Sequence, residues 1–149
     1  MLLNPEQLDQ CASMSDDALA AHIMQKTRFE HIPTHKSTLA ELTTALSGIR
    51  SADATLPLTI VTDCRTLHDL LHRRRDGLVD SNYRTKKGAI LAHADLYRDL
   101  FQQADIRPIT VQWIKGHKPA AERGSVTDRI FAILDKLVRH ELRASLAQS

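Results

Sequence analysis

The chain has 149 residues, a formal net charge of +2 and a sequence pI of about 8.7. Apolar residues make up 42% and charged residues 26% of it, an ordinary balance for one globular domain with its own core. No stretch reaches the roughly 18 consecutive apolar residues of a membrane helix, and no basic region followed by an apolar one opens the chain. We therefore expect a cytoplasmic protein without a membrane partner.

The two cysteines and the overall charge say little about function. Cys11 and Cys64 lie far apart without a CxxC or Cys/His spacing, so neither a zinc site nor a disulfide framework is predicted. A mild positive charge supports only non-specific attraction to nucleic acid. Without repeats or low-complexity segments, we expect a single domain over residues 1–149, with residues 1–27 as an atypical helical N-terminal segment.

Helix-start signals dominate the first thirty residues. Pro5 suits the first position of a helix, and Ser15 followed by two acids predicts a second helix that ends near Gln25. Alternation over residues 28–33 predicts a short strand that Pro33 ends or places at an edge.

The middle of the chain alternates between helix and strand patterns. Residues 37–49 carry apolar side chains at three- and four-residue steps, which predicts an amphipathic helix capped by Ser37 or Thr38. Residues 56–63 form a β-rich apolar run that stops at Asp63, the pattern of a buried strand with an acid at its carboxyl end. In α/β folds this end of a strand is where ligands bind.

The rest of the chain continues the same alternation. A helix is predicted from Cys64 to Arg75, closed by Gly77, and another over residues 91–104. Residues 109–114 read as a second apolar strand, and the last helix begins near Thr127. The pattern indicates an α/β fold in which a mixed sheet is flanked by helices.

Three acids lie at positions where a functional side chain could be placed by the predicted elements. Glu41 lies within a helix, Asp63 at the end of a strand, and Asp128 in the first turn of a helix. Each alone has an ordinary interpretation. A helical Glu is usually a solvated charge, and an Asp at a helix N-terminus is usually a cap.

The segments around these acids resemble bacterial type 1 ribonucleases H. The segment Trp113-Ile114-Lys115-Gly116-His117, followed eleven residues later by Asp128, is similar to that family's strand, loop and last helix. Residues 38–42 resemble its helix with the catalytic Glu, and residues 61–64 resemble the end of its fourth strand. The resemblance covers roughly residues 28–143 and implies an RNase H-like fold.

The resemblance also implies a metal-dependent chemistry. Glu41, Asp63 and Asp128 would bind divalent cations, and His117 would assist proton transfer or product departure. Two cations roughly 3.5–4 Å apart can activate water and stabilise the leaving oxygen of an in-line displacement. Carboxylate oxygens suit Mg²⁺ or Mn²⁺.

The family's first strand, with the Asp that bridges both metals, has no counterpart in the pattern. Its Asp would fall at about Leu3, and the acids Asp9, Asp16 and Asp17 follow helix signals. We therefore expect the N-terminal strand to be missing or replaced by helices. Asp16 or Asp17 folding into the site, a shortened reading frame and a homodimer that repairs the sheet are open alternatives.

Two basic clusters, His72-Arg73-Arg74-Arg75 and Arg84-Thr85-Lys86-Lys87, bracket the segment that by resemblance corresponds to the family's basic protrusion. Phosphate contact by such clusters falls steeply with salt. Ser37 and Thr38 stand where the family has a pair of Asn residues that read the hybrid. The expected nucleic-acid-binding residues are Ser37, Thr38, Arg73, Arg74, Arg75, Lys86, Lys87 and Lys115.

Two functions follow from these observations. The first is an RNase H-type endonuclease that uses Mg²⁺ or Mn²⁺ to hydrolyse the RNA strand of RNA/DNA hybrids. The second is a catalytically degenerate module that binds nucleic acid or a protein partner without cleaving. The first depends on the three acids, and the second on the missing first Asp.

Overall fold

The computed structural model describes residues 2–3, 5–30, 32, 34, 36–116 and 124–147. The chain divides into two compact units. The first unit combines residues 1–4 and 32–114, and the second combines residues 5–31 and 115–149. The single domain stays a prediction. The elements are β1 (Leu2–Leu3), α1 (Pro5–Ala12), α2 (Asp16–Lys26), α3 (Ser37–Ser51), β2 (Leu58–Thr62), α4 (Arg65–Asp69), a π-helical turn (Leu70–Arg74), α5 (Arg75–Asp80), α6 (Ala94–Ile106), β3 (Ile109–Trp113) and α7 (Val126–Ala147).

The first unit contains a mixed three-stranded sheet in the order β1-β2-β3. Strands β2 and β3 run parallel, from the Leu58–Ile109 pair to the Thr62–Trp113 pair. Strand β1 pairs antiparallel with β2 through Leu2 and Leu3. The expectation of a missing first strand is therefore wrong in one respect: two residues form a strand there, because the free edge of β2 offers unpaired backbone groups.

Strand β2 is central to the first unit and is buried on both faces. Ile60 and Val61 point to opposite sides of the sheet, and their exposed fractions are 2% and 0%. The strand predicted from residues 56–63 is thus confirmed, and its observed bounds are Leu58–Thr62. The core around it is formed by Leu42, Ala45, Leu46, Ile49, Leu58, Ile60, Leu67, Leu70, Leu78, Tyr97, Leu100, Phe101 and Val111.

Helix α3 matches the predicted amphipathic helix, whereas its predicted cap and the strand before it do not appear. Lys36 occupies the N-cap with an extended backbone, and its side chain makes no capping hydrogen bond. The Thr34 hydroxyl accepts the Lys36 amide instead, at 3.1 Å. Of the residues expected to form a strand at 28–33, those described, 28–30 and 32, adopt none.

The helix after β2 runs past its predicted end. Gly77 lies inside α5, and the turn that ends the helix comes later, where the Tyr83 amide donates to the Leu78 carbonyl at 2.8 Å. Asn82 and Tyr83 adopt positive φ values of 49° and 57°, the left-handed conformation that commonly ends a helix. Burial of Leu78 favours the extra turn, since stopping at Gly77 would leave this side chain outside the core.

The second unit consists of α1, α2 and α7, and α1 and α2 pack against α7. Both N-terminal helices were predicted, and the Ser15 hydroxyl caps α2 by accepting the Ala18 amide. The Arg129 guanidinium binds the Asp16 carboxylate at 2.7 Å and the Met14 carbonyl at 2.9 Å. Asp16 is therefore an ion-pair partner of α7 within this unit. None of the helices formed by described residues is both long and apolar enough to cross a membrane.

Candidate cation and nucleic-acid site

Glu41 and Asp63 lie in the first unit, on two different elements. Glu41 is half-buried in α3, one turn before the buried Ala45. Asp63 is exposed and directly follows β2, so its carboxylate emerges where the buried strand ends. The helix and the strand thereby bring two acids that are 22 residues apart in sequence into electrostatic contact.

The electrostatics of Glu41 reflect this contact. Burial raises the pKa of the Glu41 carboxyl above its ordinary value, and the negative charge of Asp63 raises this pKa further. Both effects make the ionised Glu41 costly in the absence of a cation. A divalent cation between the two carboxylates would remove the repulsion, which is the electrostatic behaviour of a cation site.

The donor set fits Mg²⁺ or Mn²⁺. Two carboxylates supply hard oxygen ligands, and Mg²⁺ is commonly held by one or two carboxylates with water and substrate phosphate completing its shell. A metal site whose ligands all come from protein side chains would need a larger group of such residues. Among the described residues, no group of three or more His, Cys, Asp or Glu side chains could hold a metal ion.

We expect the Glu41 pKa to fall when Asp63 is changed to Asn, because one of the two raising effects is then removed. In the unmodified chain, folding binds a proton at Glu41 between pH 4.5 and its raised pKa, so stability falls as pH rises through this window. A carboxyl-carbon NMR titration would measure the Glu41 pKa in the unmodified chain and in Asp63→Asn. An unchanged Glu41 pKa in Asp63→Asn would contradict the contact.

Asp128 lies in the second unit and takes part in the cap of α7. Its amide donates to the Ser125 hydroxyl at 3.1 Å, and its carboxylate accepts the Ser125 amide at 3.4 Å. This reciprocal pair is a capping box in which Asp occupies the position more often held by Glu. The ordinary interpretation of Asp128 as a helix cap is thus confirmed, and its role as a metal ligand stays a prediction.

Two variants separate the two roles of Asp128. Ser125→Ala removes the capping hydroxyl and should cost about 1 kcal/mol of stability while leaving any cation-dependent activity intact. Asp128→Asn keeps an oxygen acceptor for the Ser125 amide but removes the charge, so a ligand role would be lost while the acceptor of the capping hydrogen bond remains. Thermal unfolding and cleavage assays on both variants measure this. Full activity in a stable Asp128→Asn protein would exclude the ligand role.

The remaining predicted site residues are placed as follows. His117 lies outside the described residues. Ser37 and Thr38 occupy the first turn of α3, one turn before Glu41, where their hydroxyls neighbour the acid along the helix. Lys115 is exposed, two residues after the end of β3.

The arginine run after β2 divides into held and free side chains. Arg73 approaches the Asp69 carboxylate at 3.8 Å. Arg75 binds Asp105 at 2.5 Å and stacks over the Phe101 ring. Arg74 is exposed and makes no ion pair with the residues that the structure describes.

Lys86 and Lys87 lie at the tip of a closed loop. The Thr85 amide donates to the Ala89 carbonyl at 2.8 Å, which folds the loop back on itself. At its base the Tyr83 ring packs between Phe101 and the Arg98 guanidinium, whose carbon is 4.5 Å from the ring centroid. Both lysines are exposed, so this anchored loop presents two cationic side chains to solvent.

The chain is similar to a known ribonuclease H at low identity. The chain is 31% identical over 85 residues to the ribonuclease H of Granulibacter bethesdensis, and the match covers 56% of this chain and 57% of that protein. No protein-family model matches the chain. The similarity indicates a distant relationship to ribonuclease H, over little more than half the length of the relative.

Proposed function

We propose that the chain is a metal-dependent endonuclease of the ribonuclease H type that hydrolyses the RNA strand of RNA/DNA hybrids. The observation that carries the proposal is the Glu41–Asp63 pair, in which burial and the charge of Asp63 raise the pKa of Glu41 and a bound cation would relieve the repulsion between the two carboxylates. The distant similarity to ribonuclease H supports the same reaction. The natural partner would be nucleic acid, and the cofactor Mg²⁺ or Mn²⁺.

In this proposal, different residues would bind the cation, move a proton and contact phosphates. Glu41 and Asp63 would hold the cation, which when bound activates water and stabilises the charge that develops on the leaving 3′ oxygen. His117 is expected to move a proton near neutral pH, as an imidazole can. Arg74, Lys86 and Lys87 are the cationic side chains best placed to contact phosphates, since Arg73 and Arg75 are held by acids.

Cleavage of a labelled RNA/DNA hybrid tests the proposal. The purified chain is incubated with the hybrid and Mg²⁺, then with Mn²⁺, and Asp63→Asn is prepared in parallel to reveal contaminating nuclease. We expect RNA fragments with 5′-phosphate and 3′-hydroxyl ends from the unmodified chain alone. Equal cleavage by both proteins would attribute the activity to a contaminant and contradict the proposal.

A second function is a module that binds nucleic acid without cleaving it. It is favoured by Asp128, whose carboxylate takes part in the capping box of α7, and by Leu3 at the place where the family's first Asp would fall. With Glu41 and Asp63 alone as ligands, a bound cation would serve to bridge the chain to phosphate. Salt-dependent hybrid binding without turnover would support this function over the first.

Binding should depend on the free cations more than on the paired ones. Replacing Lys86 and Lys87 by Ser should weaken hybrid binding and lower the slope of log K against log salt by up to about 0.9 per lost phosphate contact. Arg73→Gln with Arg75→Gln removes the same charge but should change the slope less, because Asp69 and Asp105 already hold these side chains. Fluorescence anisotropy at several salt concentrations measures both slopes. A larger effect of the arginine pair would refute this assignment.

A further inference from the structure

The main chain around Asp63 is held by hydrogen bonds on both sides. The parallel ladder between β2 and β3 ends at the Thr62–Trp113 pair, where the Ile114 amide donates to the Thr62 carbonyl at 2.9 Å. The Thr62 hydroxyl accepts the Cys64 amide at 3.0 Å. Thr62 and Cys64, which lie on either side of Asp63, are therefore both held by hydrogen bonds at the end of β2.

The Asp63 carbonyl itself is bound by a side chain. The Trp113 indole N–H donates to it at 3.0 Å, within the normal range for such a bond. Trp113 is the only tryptophan of the chain and lies 44% exposed. On β3 it follows the buried Val111 by two residues, so the two side chains share one face of the strand.

A tryptophan that stays 44% exposed is not held in place by burial alone, and the indole N–H is its one polar group. Its N–H reaches across from β3 to the peptide that carries the Asp63 carboxylate. The negative charge of Asp63 acts on Glu41, so the two ionised carboxylates repel each other when no cation lies near them. A fixed peptide at Asp63 opposes displacement by this repulsion, and fixed ligands bind a cation with less loss of freedom.

We propose that Trp113 is a positioning residue whose indole N–H fixes the Asp63 peptide, so that the Asp63 and Glu41 carboxylates stay arranged for a divalent cation. The inference rests on the proposed function of this carboxylate pair. Trp113 acts through the hydrogen bond and needs no contact with the cation. Its part in the site is thus distinct from that of the ligands.

The variant Trp113→Phe tests the inference, because it removes the N–H and keeps an aromatic ring. Gln112→Ala is the matched control: it lies on the same strand, is exposed, and points to the opposite face. The loss of one ordinary hydrogen bond corresponds to about a 2- to 10-fold change in an equilibrium constant. Trp113→Phe should weaken Mn²⁺ binding by that factor, measured from the electron paramagnetic resonance signal of free Mn²⁺, and Gln112→Ala should leave it unchanged.

A second measurement needs no metal. Amide hydrogen exchange at Cys64 and Ile114, which flank the held peptide, should quicken in Trp113→Phe and not in Gln112→Ala. The indole N–H of the unmodified chain gives one isolated NMR signal, which should exchange more slowly than a free indole. Rapid indole exchange, or unchanged amide exchange in Trp113→Phe, would overturn the inference whether or not metal binds.

The two failures can be told apart. If the unmodified chain binds Mn²⁺ and Trp113→Phe binds it equally well, the positioning role is wrong and the proposed function stands. A different result would count against the proposed function alone: the unmodified chain binds no Mn²⁺, its indole N–H exchanges slowly, and Trp113→Phe speeds amide exchange at Cys64 and Ile114. In that case Trp113 still fixes the Asp63 peptide.

Discussion

Changing Asp63 to Asn is expected to lower hybrid cleavage by about 100-fold or more, with little loss of stability. Asp63 is exposed, so the substitution removes no core packing. Its carboxylate is one of two that would hold the cation, and loss of a group that stabilises the transition-state charge commonly costs about 10²–10³ in rate. The amide of Asn keeps the size of the side chain and removes the charge.

The matched comparison for this prediction is Glu41→Gln. Both variants should lose cation-dependent activity. In the unmodified chain a cation at 100 times its Kd should stabilise the fold by about 2.7 kcal/mol, a gain that both variants should largely lose. Thermal unfolding with and without Mg²⁺ measures this gain, and single-turnover cleavage measures the rate. Retained cleavage in a folded Asp63→Asn protein would remove Asp63 from the site and with it the proposed mechanism.

Changing Arg107 to Met should cost about 3 kcal/mol of folding stability. Arg107 is 5% exposed, and its guanidinium donates to the Ile49 carbonyl at the end of α3 and to the Asp53 carbonyl in the following loop. Hydrogen bonds that involve a charged group contribute about 1.5–3 kcal/mol each. Methionine fills similar space without a donor, so both bonds are lost while the packing is largely kept.

The expected shift in melting temperature is about 10 °C, given about 2–4 °C per kcal/mol for a chain of this size. Arg50→Ala is the control, because Arg50 lies in α3 next to Ile49, whose carbonyl Arg107 binds. The ion pair of Arg50 with Asp99 is exposed on both sides, and its loss should cost at most about 1 kcal/mol. Equal losses in the two variants, measured by urea denaturation, would show that Arg107 contributes no more than a surface charge.

The sequence predicted the elements whose signals are local. Ser15 and the acids after it cap α2, because a hydroxyl and a nearby amide need no distant partner. The apolar run before Asp63 predicted β2, since a strand buried on both faces has few polar positions. The end of the next helix was wrong, because burial of Leu78 and the left-handed turn at Asn82 and Tyr83 outweigh the local tendency of Gly77 to stop a helix.

The sequence by itself determined that the chain is α/β. It marked Asp63 as an acid at the carboxyl end of a buried strand and Glu41 as an acid on the helix before that strand. The tertiary structure alone decided which acids interact. The electrostatic interaction between Glu41 and Asp63 depends on how α3 and β2 pack, and the pairs Arg107–Ile49 and Trp113–Asp63 join residues about 50 or more positions apart. Such pairs leave no periodic trace in sequence, because helix and strand periodicities record which face is buried and not which partner it meets.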